Sequence, residues 1–135
     1  MGLDVFVYCY TNGEPAAVST EAVLRCFSGF IASQAADGVD LEFGPADSCV
    51  AYFDTTGSTT SGFLLSRPRG DRRLGECLYA VMQLGHFSLL IPGEEGVIVS
   101  SAAAVQHMPH DMLQELGGAR VPKDLDDFQL LFFGS

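Results

Sequence analysis

The run Leu3-Asp4-Val5-Phe6-Val7-Tyr8-Cys9-Tyr10, halted by Thr11-Asn12-Gly13, constrains the fold more than any other segment. β-Branched and aromatic residues followed by turn residues make a strand. Successive side chains of a strand point to opposite faces. Here both sets are rich in apolar and aromatic groups, so the strand belongs in the interior of a sheet. Such a strand needs partners on both sides, supplied from elsewhere in the chain.

The partners can be read downstream. Val39 to Phe43 alternates Val, Asp, Leu, Glu, Phe, the period-two pattern of a half-exposed strand. Gly44-Pro45-Ala46-Asp47 breaks it, and Cys49 to Asp54 pairs back. After a polar loop, Thr55 to Ser61, a third strand over Phe63, Leu64 and Leu65 ends at Arg67-Pro68. Three strands joined in this way make an antiparallel meander. Phe87 to Ile91 and Val97-Ile98-Val99 flank the Glu94-Glu95-Gly96 turn and read as a hairpin, and Ala119 to Val121 as a short strand.

Helices alternate with these strands. Ser19 or Thr20 caps the first, with Glu21 in its first turn and Val23, Cys26, Phe27, Phe30 and Ile31 as an apolar stripe running toward Asp37-Gly38. Asp71 caps the second; its stripe is Leu74, Cys77, Leu78, Val81 and Met82, and Gly85 closes it. Short helices follow over Ala102 to His107 and from Pro109 to Gly117-Gly118. Leu125, Phe128 and Phe132 form a last helix capped by Asp124, with a strand over Phe128, Leu130 and Phe132 as the alternative. The expected fold class is α+β, a mainly antiparallel five- to six-stranded sheet with helices packed on at least one face.

A chain of 135 residues with 47% hydrophobic composition and ten Phe is expected to form one domain spanning residues 1–135. At that size roughly 68% of the unfolded chain's surface is buried, enough for a core without covalent staples. Cys9, Cys26, Cys49 and Cys77 contain no Cys-x-x-Cys pair, so neither a zinc site nor a redox motif is expected. Asp4 and the missing basic segment argue against a secretory leader, and no apolar run approaches a membrane span. The expectation is a cytoplasmic protein with reduced thiols and no cofactor.

The net charge of −10 disfavours nucleic acid, whose phosphates need a basic surface, and suits encounter with a basic protein partner. Against that background, Arg67-Pro68-Arg69-Gly70-Asp71-Arg72-Arg73 holds four of the seven basic residues. One reading is an anion or carboxylate clamp at a helix N-terminus, built on Arg67, Arg69 and Arg72. The preferred reading is that these arginines pair with the chain's own carboxylates, Asp71 serving as a cap. Glu94 and Glu95 in the hairpin turn, with Glu42, Asp47 and Asp54 beside the meander, form a candidate acidic face, the preferred reading being ordinary solvated surface. Phe132 and Phe133 are expected to close the core rather than anchor a partner.

Chemistry-bearing patterns are sparse. His107, His110 and Asp111 have poor ligand spacing because Pro109 interrupts the helix that would align them, so no metal site is expected. Cys77 with His86 would make a nucleophile and base only if Cys77 left the apolar stripe. Neither a Gly-x-Ser-x-Gly elbow nor a Gly-x-x-x-x-Gly-Lys loop occurs. No catalytic residue is assigned.

Two segments together carry a resemblance. Leu3-Asp4-Val5-Phe6-Val7-Tyr8 with Gly13-Glu14-Pro15 is one. Arg67-Pro68, Gly70-Asp71 and Arg73-Leu74, then Met82-Gln83-Leu84-Gly85 and Pro92-Gly93, form the other. They resemble small acidic bacterial proteins encoded among polymorphic toxin and contact-dependent inhibition systems. The resemblance implies an immunity protein: a non-catalytic protein-binding protein that neutralises a cognate, basic toxin domain. It carries over no binding residue. The alternatives are a small-molecule or anion-binding domain, or a small enzyme, with a pocket near Arg67 to Arg73, and a structural adaptor subunit.

Overall fold

The structure is a computed structural model describing residues 4–45, 47–68 and 71–133. In chain order the elements are β1 (Val5–Thr11), β2 (Glu14–Pro15), β3 (Val18–Ser19), α1 (Thr20–Cys26), β4 (Ile31–Ala35), β5 (Gly38–Gly44), β6 (Asp47–Tyr52), β7 (Thr59–Thr60) and β8 (Gly62–Ser66). There follow α2 (Arg72–Met82), β9 (Phe87–Leu90), β10 (Val97–Val99), α3 (Ala102–His107), α4 (His110–Glu115), β11 (Ala119–Arg120) and α5 (Leu125–Phe133). The class is α+β, and the C-terminal segment is helical.

The main sheet is larger than the five or six strands expected: nine, in the order β11-β10-β9-β1-β8-β6-β5-β4, with β2 paired to β1. All pairings are antiparallel except β10 with β11. As its two-faced pattern requires, β1 lies in the interior: Phe6 stands opposite Leu64 of β8 on one side and Leu90 of β9 on the other. The meander β5-β6-β8 is present, extended by β4 at the margin.

That marginal strand corrects the expected first helix. Ser19 caps α1, accepting a hydrogen bond from the Ala22 N–H, but the helix stops at Cys26. Gly29 follows at φ +96°, a conformation glycine adopts without steric cost. Phe30 and Ile31 therefore leave the helical path, and Ile31 pairs with Leu41 of β5. The apolar spacing that ran through Phe30 and Ile31 reflects core contact from two different elements. A small second sheet pairs β3 with β7, and the Thr20 N–H donates to the Ser58 carbonyl, tying α1 to the polar loop.

The two faces of the main sheet differ. On the inner face, Val5, Val7, Cys9, Leu41, Ala51 and Leu65 are buried in one core with Val23, Leu74, Leu78, Val81 and Phe128 from α1, α2 and α5, and with Phe27 just past the end of α1. On the outer face a separate cluster of Val97, Val99, Ala104 and Met108 packs with Tyr10, Leu90, Met112 and Leu116. Thus α3 and α4 cover that face only at the β9–β10 end.

Gly62 shows how tightly the centre is built. It sits at φ +141°, and a Cβ there would fall 2.0 Å from the Val7 carbonyl oxygen and 2.8 Å from the Tyr8 Cα. The β1–β8 backbones approach so closely only because this residue has no side chain.

Candidate functional site

Cross-strand register defines what the outer face carries beyond α3 and α4. From Leu90, which packs in the α3–α4 cluster, the row continues outward as Phe6, Leu64 and Tyr52 across β1, β8 and β6. The next row holds Ser66, Val50, Asp40 and Ser33 across β8, β6, β5 and β4. Glu42 and Ser48 form a third, shorter row. Phe6, Tyr8, Val50, Tyr52 and Leu64 belong to neither core cluster. Tyr52 is 46% exposed, and Asp40 and Glu42 are exposed beside it. This half of the sheet face presents an apolar, aromatic row bordered by carboxylates.

A groove of about 500 Å³ lies along that border, lined among others by Ala32, Asp40, Glu42, Ser48, Val50 and Arg67. The Ser33 hydroxyl donates to Asp40 Oδ2, fixing that carboxylate outward. Arg67 ends β8 at φ +46°, in the left-handed region that non-glycine residues seldom occupy. The groove wall beside Arg67 is acidic, which opposes an anion there.

The structure separates the residues singled out from the sequence. Arg72 is engaged by the chain's own carboxylates, 3.2 Å from Asp126 and 3.8 Å from Glu76. Arg73 binds Asp71 through both Nε (3.0 Å) and a terminal nitrogen (2.8 Å), while Asp71 also accepts the Arg73 backbone N–H as the α2 cap. The Arg73 guanidinium holds the Asp71 carboxyl well below the usual carboxylate range. Arg69 lies outside the described residues. Arg67 lines the groove, whereas Arg72 pairs with carboxylates of α2 and α5. Glu94 and Glu95 are exposed in the β9–β10 turn beside a shallow depression that Glu115 also lines. Among the described residues no ion pair engages either of them.

Other reactive groups face inward or each other. Burial pushes the Cys49 thiol up to about 12 and the Cys77 thiol up to about 11. Cys9 and Cys26 are raised for the same reason, so none of the four is an activated nucleophile. His86 stacks on His107 with ring centroids 4.1 Å apart, and His107 Nδ1 accepts the Asn12 backbone N–H at 3.1 Å. Among the described residues no group of three or more His, Cys, Asp or Glu is placed to hold a metal ion, and no helix is long and apolar enough to cross a membrane.

Phe6, Tyr8, Val50, Tyr52 and Leu64 were not singled out from the sequence. Phe6 and Tyr8 carried the signal that β1 is apolar on both faces, but a strand covered on both sides and one exposed on half a face have the same pattern. Comparison with protein-family models, with curated proteins and with solved structures gave no match.

Proposed function

We propose that this chain is a non-catalytic, cytoplasmic protein-binding protein of the immunity type, which neutralises a basic toxin domain by covering it with the open half of its sheet. The observation that carries the reading is the outer face beyond α3 and α4, where a half-buried aromatic and aliphatic row running from Phe6 to the exposed Tyr52 adjoins Asp40 and Glu42. Aromatic side chains bordered by polar groups are the composition of a protein interface. The net charge of −10 adds long-range attraction for a basic partner.

The test is growth rescue. The chain is co-expressed with basic toxin domains cloned from its own genome, and any complex is measured at low and high salt. Tyr52→Glu and the double variant Asp40→Lys/Glu42→Lys are expected to abolish rescue while remaining folded. Glu94→Lys/Glu95→Lys tests the rival acidic turn. Rescue that survives both open-face variants but fails in the turn variant would move the interface to β9–β10. An association rate unchanged by salt would remove the electrostatic part of the reading.

A further inference from the structure

The two margins of the main sheet are unequal. At one end β11 has only two residues and Arg120 among them. At the other, β4 runs five residues, Ile-Ala-Ser-Gln-Ala, with no charge and no proline. Ala32, Ser33, Gln34 and Ala35 are exposed, and no strand lies beyond β4 among the described residues. An edge strand carries backbone donors and acceptors on its free side, and folds usually guard such an edge with lysine, proline or shortness. Here the one irregularity is a register shift between Ile31 and Ser33.

Depressions flank this edge on both faces of the sheet. On the outer face lies the groove that Ala32 shares with Asp40 and Glu42. On the helix face a second depression, about 380 Å³, is lined by Ile31 with Glu21, Leu24, Arg25, Ser28 and Gly29 of the α1 region. Consecutive residues of β4 thus open into two differently lined spaces. Ala32, Ser33 and Ala35 are small, so a long side chain from beyond the edge can pass over them to Asp40 and Glu42.

We propose that β4 receives an extended segment of the partner protein as an added strand, in which basic and apolar residues alternate. The proposal rests on the open face being a partner-binding surface and specifies how the partner enters it. The backbone of the segment pairs with the free side of β4. Its basic side chains lie over the outer face toward Asp40 and Glu42, and its apolar ones enter the space between Leu24 and Ile31. Alternation at period two places the two sets on opposite faces. A second copy of the chain is a poorer occupant, because joining two bodies of net charge −10 at β4 would leave both Asp40 and Glu42 pairs unmatched.

The probe is a labelled, end-capped heptapeptide alternating lysine and valine, read by fluorescence anisotropy, with hydrogen exchange at β4 as a second readout. Three altered peptides accompany it: glutamate for lysine, serine for valine, and backbone N-methylation of alternate residues. The parent is expected to bind and to slow exchange at Ile31 to Ala35, and each alteration to weaken it by at least about tenfold. Gln34→Pro, checked for folding by circular dichroism, is expected to match the effect of N-methylation. N-methylated peptide binding as well as the parent would overturn strand addition while leaving the acidic face in place. Parent binding that ignores Asp40→Lys/Glu42→Lys would defeat the acidic-face reading itself. Failure to bind at about 1 mM, or a concentration-dependent dimer protected at β4 without peptide, would also overturn the proposal.

Discussion

Leu78 lies in the middle of α2, fully buried between the sheet and the helices beside it. Replacing it with alanine removes three carbon groups from a site with no access to water. The transfer free energy lost is about 2–2.5 kcal/mol, at ~0.8 kcal/mol per buried methylene. The cavity adds to this. The α2 neighbours Leu74, Val81 and Met82, each at 1% exposure or less, share one core with Leu78 and the inner sheet face, so collapse is limited. A total of about 3–4 kcal/mol follows, within the range seen for leucine truncations in close-packed cores. Urea denaturation followed by helical circular dichroism would measure it, as a lower midpoint with an unchanged slope. Leu130→Ala is the internal control. Leu130 is also a helical leucine, on α5, but 59% exposed, so its loss should stay within about 0.5 kcal/mol. A cost below about 1 kcal/mol at Leu78, or equal costs at the two sites, would refute the placement of α2 on the sheet.

Three further outcomes are expected. Asp71→Ala should cost about 1–2 kcal/mol near neutrality through loss of the α2 cap. Because the folded carboxyl is depressed, that contribution is present above about pH 4 and fades as pH falls through the lower folded value, so parent and variant should converge in acid and stay apart in alkali. Cys49 and Cys77 have raised folded values of about 12 and 11, so the native state retains protons that the unfolded chain releases. Stability should therefore fall above about pH 9, by at most about 1.4 kcal/mol per pH unit per thiol, and Cys49→Val should flatten the fall. Gly62→Ala forces a methyl against the β1 backbone at a positive φ and should cost at least about 2 kcal/mol by urea titration.

What the sequence disclosed depended on where the information lay. β1 was readable as an interior strand because its own composition states it. Asp71 was readable as a cap because capping is a contact within one turn, and Arg72 as self-paired because carboxylates abound. The end of α1 was misplaced because Phe30 and Ile31 keep helical spacing while Gly29 turns the chain. Ile-Ala-Ser-Gln-Ala has little strand preference of its own, and it becomes β4 because β5 offers it a partner. The short strands β2, β3 and β7 have two residues each, too few for periodicity to register. Which half of the outer face stays open was unreadable for a different reason. It depends on where α3 and α4 come to rest, and neither their apolar residues nor those of β1 record that.

The interior position of β1 has a consequence for the order of assembly. Its neighbours are Gly62–Ser66 and Phe87–Leu90, so neither side of the first strand can close until much of the chain has been made. At roughly 5–20 residues per second on a ribosome, an aromatic, β-prone run waits several seconds with both margins bare except where β2 folds back on Tyr10 and Thr11. Forming those pairings also requires long loops to close before any contact rewards them, a hallmark of slow folding. A nascent chain stalled before Phe87 would hold β1 and β8 together with one side of β1 still unmatched. The expected outcome, measurable on stalled nascent chains of increasing length, is a rise in solubility once Leu90 has cleared the exit tunnel.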